Sequence, residues 1–366
     1  MKKTLSYLCV ICLFIWSCSS DSPETTNSLP DFTVVGQNEG TFYQLNFDAF
    51  NKETSVLNLT EELGLPFSNA QDIVFSGPIV SFYSRENSGF SAWQKNLTTR
   101  VSKKFESYFE NNESQFAVFS THSPNQIFVG YESPIGSGQL NMKIINRATE
   151  TATDVFLITA TMASLVGRPM YHNGKLLISY NDDGTYKTMV FNTQTQVVDA
   201  TITYQGLPNV IRNTNGNLSV FDNGNTYFEY DLNALVKLNT RSLGAAPVFL
   251  NFGNIEDSKV HNNIVYHKSP AAQPNFLNFY PGVYDINTQD SNIIDVNQNI
   301  DISFGPLEGT RFIPLTSVFD IVNEMYLVGF RSDNSDGVKG VMIFDRNRKL
   351  LNAIEVPFSP LKIIVN

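Results

Sequence analysis

Residues 188–196 read TMVFNTQTQ, a mostly apolar run that ends at Asn192 and continues into polar turn residues. Six other segments end in a similar way, with strand-like residues followed by Asp or Asn and a turn. These segments are QLNFD ending at Asp48, WQKN at Asn96, MKIIN at Asn146, YFEYD at Asp231, PGVYD at Asp285 and VMIFD at Asp345. The spacings between successive copies are 48, 50, 46, 39, 54 and 60 residues. The WQKN copy is the poorest, because Gln94 and Lys95 replace the apolar pair.

This spacing predicts an all-β fold. A period of about 40–50 residues is typical of the four-stranded blades of a β-propeller. An Asp or Asn at the end of a blade's third strand can accept a hydrogen bond from the backbone two residues further on. Between the copies, apolar residues alternate in short runs, and pairs such as Asn173-Gly174 and Asp183-Gly184 are strong hairpin signals.

The two ends of the chain complement each other. The first segment supplies only three strands, and one strand, residues 360–366, is left over after the last blade. We therefore predict seven four-stranded blades closed by the C-terminal strand, with Leu361, Ile363 and Val365 buried on one face. Closure would remove the open sheet edges that invite aggregation. Six or eight blades remain alternatives, since the two longest spacings could hide a miscount, and so does a pair of β-sandwiches.

The N-terminal residues predict export. A basic start at Lys2 and Lys3 precedes about a dozen mostly apolar residues, too few for a membrane-spanning helix of ~20 residues. We divide the chain into a signal peptide (1–17), a lipidated N-terminus with a flexible tether (18–31) and a propeller domain (32–366). The tether is rich in Ser, Thr and Pro and has no apolar period.

The junction Ile15-Trp16-Ser17-Cys18 resembles the lipobox of bacterial lipoproteins, apart from the unusual Trp16. The resemblance implies that Cys18 is lipidated and becomes the first residue of the mature chain. Asp21 and Glu24 resemble, in a weaker way, the surface-export signal of Bacteroidota-type lipoproteins. We therefore expect a protein that is anchored by lipid in the outer membrane and faces either the periplasm or the cell surface.

A second resemblance concerns the repeats. The turns that begin at Asn192 (NTQTQ) and Asp285 (DINTQ) resemble the Asp-x-x-Thr turn of YncE-like propellers, also known as YVTN-repeat propellers. The resemblance is one of repeat style, and it implies a fold without implying an activity.

The charge balance limits the partners. The chain has 25 basic and 35 acidic residues, a formal net charge of −10, and loss of the signal peptide would make this −12. Without a basic run, we expect no binding to nucleic acid, whose phosphates require clustered Lys and Arg. Membrane attachment would then depend on the lipid at Cys18. No motif for a metal, nucleotide or other cofactor is present, so we predict no cofactor.

The candidate ligand face is one end of the propeller. Turns between second and third strands share a face with the connections between blades, and function usually resides in such loops. The candidate residues are Arg85, Glu86, Glu132, Asp182, Asp183, Asp222, His267, Lys268, Arg331, Asp333 and Asp336. Residues 268–275 form the longest and most proline-rich of these turns, so we expect a specific contact there.

Three functions fit the sequence. The first is a non-enzymatic protein that binds a ligand, a glycan or a protein partner, as in nutrient capture beside a transporter. The second is a glycan-active hydrolase or lyase with paired carboxylates at the central channel. The third is a periplasmic scaffold in envelope assembly. We predict no catalytic residue. The four histidines are well separated in sequence: His122, His172, His261 and His267. A catalytic pair that the fold brings together remains an alternative.

Overall fold

Short strands and tight turns make up nearly all of the described chain. The computed structural model describes residues 29–66, 72–86, 89–109, 115–159, 165–223, 225–244, 258–270, 279–297, 311–333 and 337–365. The predicted signal peptide, Cys18 and most of the predicted tether lie outside these ranges. Within these ranges there is one α-helix, of five residues, and no helix is long and apolar enough to cross a bilayer.

The first four blades follow one another along the chain. Blade 1 contains β1 (Phe32–Asn38), β2 (Thr41–Asp48) and β3 (Glu53–Asn58), followed by helix α1 (Leu59–Leu63). Blade 2 contains β4 (Asp72–Ser76), β5 (Ile79–Glu86), β6 (Gly89–Asn96) and β7 (Ser102–Phe105). Blade 3 contains β8 (Phe116–His122), β9 (Gln126–Glu132), β10 (Gln139–Asn146) and β11 (Ala152–Thr159). Blade 4 contains β12 (Met170–His172), β13 (Lys175–Asp182), β14 (Thr185–Asn192) and β15 (Val197–Tyr204).

Three further blades and a final strand complete the ring. Blade 5 contains β16 (Pro208–Asn213), β17 (Leu218–Asp222), β18 (Thr226–Asp231) and β19 (Val236–Ser242). Blade 6 contains β20 (Lys259–His261), β21 (Ile264–Pro270), β22 (Phe279–Asp285) and β23 (Ser291–Ile293). Blade 7 contains β24 (Phe312–Asp320), β25 (Met325–Ser332), β26 (Lys339–Phe344) and β27 (Leu350–Glu355), and β28 (Ser359–Val365) follows. Blades 5 and 6 are joined by parallel pairing of their first strands, β16 and β20.

The last strand closes the ring, as predicted. β28 pairs antiparallel with β1 and occupies the innermost position of blade 1, in the order β28-β1-β2-β3. Ile363 and Phe358 join a buried cluster that includes Phe32 of blade 1 and Leu327 of blade 7. The fold is thus a β-propeller of seven four-stranded antiparallel blades, and the first and last blades share one core.

The prediction that Leu361 is buried is wrong, because the strand pairing contains a bulge. Val35 pairs with Lys362 and Gly36 with Pro360, so Leu361 is skipped and is 39% exposed. A side chain at Gly36 would collide with the Phe358 ring, which lies 2.2 Å from an ideal Cβ position. Glycine therefore lets β28 approach β1 at the bulge.

The repeated Asp and Asn residues form one kind of turn in six blades. The side-chain oxygen of Asn192 accepts hydrogen bonds from the backbone N–H groups of Gln194 (3.0 Å) and Thr195 (3.1 Å). Gln196, which closes the turn, has a positive φ of 59°. The same pair of bonds occurs at Asp48, Asn96, Asn146, Asp231 and Asp285. In the seventh copy, Asp345 instead accepts from the N–H of Lys349.

The irregular WQKN copy is accommodated by buried polar contacts. Gln94 donates from Nε2 to Ser81 Oγ at 2.7 Å, and the Nζ of Lys95 pairs with Oε2 of Glu62 in helix α1 at 2.5 Å. The Lys95 side chain is only 1% exposed. A buried charge of this kind needs a partner, and α1 provides it.

Candidate functional site

Two acidic residues of the predicted ligand face are buried inside turns. Oε1 of Glu132 accepts a hydrogen bond from the N–H of Gly138 at 2.9 Å, and Oδ1 of Asp222 accepts from the N–H of Thr226 at 3.0 Å. Both carboxylates therefore hold a turn between the second and third strands of their blade. The prediction that Glu132 and Asp222 belong to an exposed ligand surface is therefore corrected: both are buried, and each carboxylate bonds to a backbone N–H group of its own turn.

His267 is also buried, against the neighbouring strand. It pairs with Gly282, and an ideal Cβ on that glycine would lie 2.5 Å from the imidazole ring. Burial lowers the pKa of His267 to about 4. The His267 ring thus packs over Gly282 and is buried from solvent.

The remaining candidates are exposed or only partly described. Asp182 forms an exposed ion pair with Lys187 at 2.5 Å, and Asp183, Arg331 and Asp333 are exposed. Lys268 is half-buried within β21, which extends to Pro270, so the first three residues of the predicted turn 268–275 belong to a strand. The rest of that turn, Asp336, and the side chains of Arg85 and Glu86 lie outside the described part. A role for this face in binding stays a prediction.

The histidines bond to separate sets of neighbours. His122 is fully buried, and its Nδ1 lies 2.9 Å from Ser81 Oγ and 3.2 Å from Tyr83 Oη. Burial lowers the pKa of His122 to about 3. His172 Nε2 lies 2.9 Å from the carbonyl oxygen of Asn217, and His261 Nδ1 lies 2.8 Å from Thr214 Oγ1. Each contact joins two strands or turns, as expected for structural histidines.

A cavity of about 450 Å³ lies among the inner strands. Its described lining comes from β12, β16, β20 and β28, with the turns that adjoin them. The lining residues are His172, Asn173, Arg212, Asn213, Thr214, Gly216, Ser258, Lys259 and Lys362. Blades 4, 5 and 6 are neighbours, whereas Lys362 belongs to blade 1 across the ring. Innermost strands of such distant blades face one another only across the central channel, so we refer to this space as the channel cavity.

Three basic residues line the channel cavity. Arg212 and Lys259 are register partners on the parallel strands β16 and β20, and Lys362 faces them from β28. All three are half-buried. The nine described lining residues include no carboxylate. The cavity is therefore a basic site within an acidic protein.

The three bases of the channel cavity contact neighbouring groups, and two positions in the cavity lining have shifted pKa values. The Nζ of Lys259 donates to the carbonyl oxygen of Phe319, burial lowers the pKa of Lys259, and the nearby Asp320 carboxylate opposes that shift. Burial lowers the pKa of His172, and the charge of Arg212 lowers it further. Lys362 Nζ lies 5.6 Å from the centre of the Phe75 ring.

Sequence reasoning missed this site because its residues come from separate blades. A faint local signal exists: Arg212 follows buried Ile211, and Lys259 and Lys362 precede buried Val260 and Ile363. In each case the base is half-buried and its apolar neighbour is buried, as expected where successive residues of a strand point to opposite faces. Only the closed ring shows that the three bases share one space.

Comparisons with known proteins indicate the fold alone. No family model matches the chain, and no curated protein does so. Among solved structures, a "putative 6-phosphogluconolactonase" from Bacteroides fragilis is 12% identical, with a TM-score of 0.48 over 93% of this chain and 99% of that one. The WD40 domain of Toxoplasma gondii coronin is 9% identical, with a TM-score of 0.43 over 78% and 70%. An uncharacterized Listeria monocytogenes protein is 10% identical, with a TM-score of 0.43 over 68% and 70%.

Proposed function

We propose that this chain is a lipid-anchored binding protein of the bacterial outer membrane, which holds a small ligand in the channel cavity and catalyses no reaction. The observation that carries the proposal is the cavity itself. Its volume of about 450 Å³ falls within the usual range for small-molecule sites, roughly 300–1,000 Å³. Its walls are inner strands of a closed ring, so a ligand would bind without a large loss of backbone freedom.

The chemistry of the lining favours binding over glycan cleavage. Glycoside hydrolysis usually needs two carboxylates, one as acid and one as base or nucleophile. The described lining instead has three bases with the amides of Asn173 and Asn213 and the hydroxyls of Thr214 and Ser258. Such groups hold and orient a ligand. Turnover of an envelope or dietary glycan by the purified protein would contradict this proposal in favour of the enzyme.

The membrane anchor rests on Cys18 and the residues before it. We expect Cys18→Ser to abolish lipid attachment and to release or mislocalise the protein. Metabolic labelling with a clickable palmitate analogue tests this directly. Label retained on the serine variant would contradict lipidation at Cys18.

Binding in the channel cavity can be tested by blocking it. Thr214 is an exposed residue of the lining, and Thr214→Trp would fill part of the opening; Thr240→Trp, on the outer strand β19 of the same blade, is the matched control. Thermal denaturation of the detergent-solubilised protein would be measured with neutral sugars, amino acids, carboxylates and phosphates. We expect at least one compound to raise the Tm of the wild type and of Thr240→Trp, but not that of Thr214→Trp. A ligand that stabilises all three proteins equally would place the site elsewhere.

A further inference from the structure

We infer that the channel cavity selects a small multivalent anion, held between Arg212 and Lys259 on one wall and Lys362 on the other. This inference rests on the proposed function and names the chemical class of its ligand. The shared chemistry is two or more carboxylate or phosphoryl groups on one small molecule.

The arrangement of the bases is the first support. Arg212 and Lys259 are partners in the parallel pairing of β16 and β20, and neighbouring strands lie about 4.8 Å apart. Two basic side chains therefore leave adjacent strands side by side. The guanidinium of Arg212 offers a planar fork suited to a carboxylate or phosphate, and the lysine ammonium offers a compact charge. Lys362 enters the same cavity from blade 1 and can reach a second anionic group.

The electrostatic balance is the second support. The chain as a whole is acidic, and its field would repel an anion at long range. Charges further away than about 8 Å are largely screened at physiological salt, whereas partly buried charges are screened much less. Bases therefore outnumber acids near the cavity: its described lining holds three bases and no carboxylate, and the nearby acid is Asp320, beside Lys259. A bound anion would relieve the mutual repulsion of these bases.

The remaining lining gives the anion neutral partners and limits its size. Asn213, Thr214 and Ser258 can donate hydrogen bonds to oxygen atoms that the three bases do not reach. A cavity of about 450 Å³ admits a molecule the size of a tricarboxylate or a diphosphate. A ligand with one anionic group could contact only one wall, whereas a multivalent anion could contact Arg212 or Lys259 on one wall and Lys362 on the other, so multivalent ligands are favoured.

Isothermal titration calorimetry on the detergent-solubilised protein tests this inference, with four probes at one ionic strength. Citrate represents polycarboxylates, inorganic pyrophosphate represents phosphoryl compounds, acetate is the monovalent control and glucose the neutral one. We expect saturable one-to-one binding of citrate or pyrophosphate, at least tenfold tighter than acetate, and no binding of glucose. Whichever of the two binds tighter identifies the source of the anionic groups.

The variants are Arg212→Gln, Lys259→Gln and Lys362→Gln. Exposed bases outside both the channel cavity and the predicted ligand face supply the matched controls, Arg100→Gln and Lys349→Gln. Each cavity variant should weaken binding of the preferred anion roughly tenfold or more, because a charge-assisted hydrogen bond is lost. Each control should stay within about twofold of the wild type. Because each test variant keeps a polar side chain, circular dichroism and thermal melts should show a preserved fold.

The failures can be distinguished. If a neutral ligand binds and Thr214→Trp blocks it, while the three glutamine variants bind normally, the inference fails and the proposed function stands. If no compound in the thermal panel binds in a way that Thr214→Trp blocks, both fail. Equal binding of acetate and citrate, or equal losses in the cavity and control variants, would also overturn the inference.

Discussion

The buried polar residues of the predicted ligand face and the bases of the channel cavity differ in what they contact. Glu132 and Asp222 accept hydrogen bonds from backbone N–H groups a few residues further along the chain. Arg212 and Lys362 come from blades 5 and 1 and line one shared space. Polar residues of the first kind stabilise turns, whereas those of the second kind line the cavity in which we propose that a ligand binds. The comparison predicts large stability effects at the first set and large binding effects at the second.

Deletion of residues 360–366 should give the largest effect, since β28 contributes to both the core and the cavity. It carries Ile363, which is buried, next to Lys362 in the cavity lining. A buried Ile or Leu side chain contributes about 1.5–3 kcal/mol, and β1 would also lose its pairing partner. The loss should approach the ~5–15 kcal/mol stability of a typical domain.

Deletion of residues 19–28 is the matched control, because it precedes the first strand and leaves in place Leu29, which packs against the core, and Pro30, which is buried. Thermal melts should show a folded protein near the wild-type Tm for this control, and an unfolded or strongly destabilised one for the strand deletion. Equal melting temperatures would contradict the closing role of β28.

Acid should destabilise the protein through two buried histidines. Burial lowers the pKa of His122 to about 3 and that of His267 to about 4, whereas an unfolded histidine titrates near 6.5. Between those values the unfolded state binds more protons than the folded state, so stability falls as the pH falls. From pH 8 to pH 5 each histidine should remove about 2 kcal/mol.

Urea denaturation at a series of pH values measures this loss. His267→Phe keeps a ring over Gly282 and should remove the contribution of that residue, leaving the contribution of His122. A pH profile unchanged by the substitution would show that His267 has the same pKa in the folded and the unfolded protein, against its burial.

Loss of a turn-holding carboxylate should have a smaller effect. Glu132→Ala leaves the N–H of Gly138 without its acceptor in a buried position, which should cost about 1–3 kcal/mol. Asp183→Ala changes an exposed turn residue of the same face and serves as the parallel variant. Titration with pyrophosphate or citrate should give the wild-type affinity for the anion in both variants. A tenfold loss of affinity in either variant would indicate that the ligand binds at the predicted ligand face and not in the channel cavity.

Removal of a cavity base should change stability least. Lys362→Met keeps a long apolar side chain, loses the contact of Nζ with the Phe75 ring and reduces repulsion in the cavity, so the free energy of unfolding should stay within about 1 kcal/mol of the wild type. Chemical denaturation measures the change. A loss of several kcal/mol would show that Lys362 has a structural role like that of Glu132.

The same contrast explains what sequence reasoning could find. The blade period was readable because the Asx turns are local: Asn192 and its five equivalents bond within three residues along the chain. The closing strand followed from counting strands. The exposure of Leu361 was not readable, because a bulge between β28 and β1 depends on two segments at opposite ends of the chain. The channel cavity was missed for the same reason.

A crystal structure of the protein grown with pyrophosphate, and a second grown with citrate, would test the central claim most directly. We expect an ordered anion in at least one of them, within hydrogen-bonding distance of Arg212 or Lys259 on one side and of Lys362 on the other. An anion ordered against the turns at Asp182 and Asp333, with none in the channel cavity of either crystal, would contradict the account.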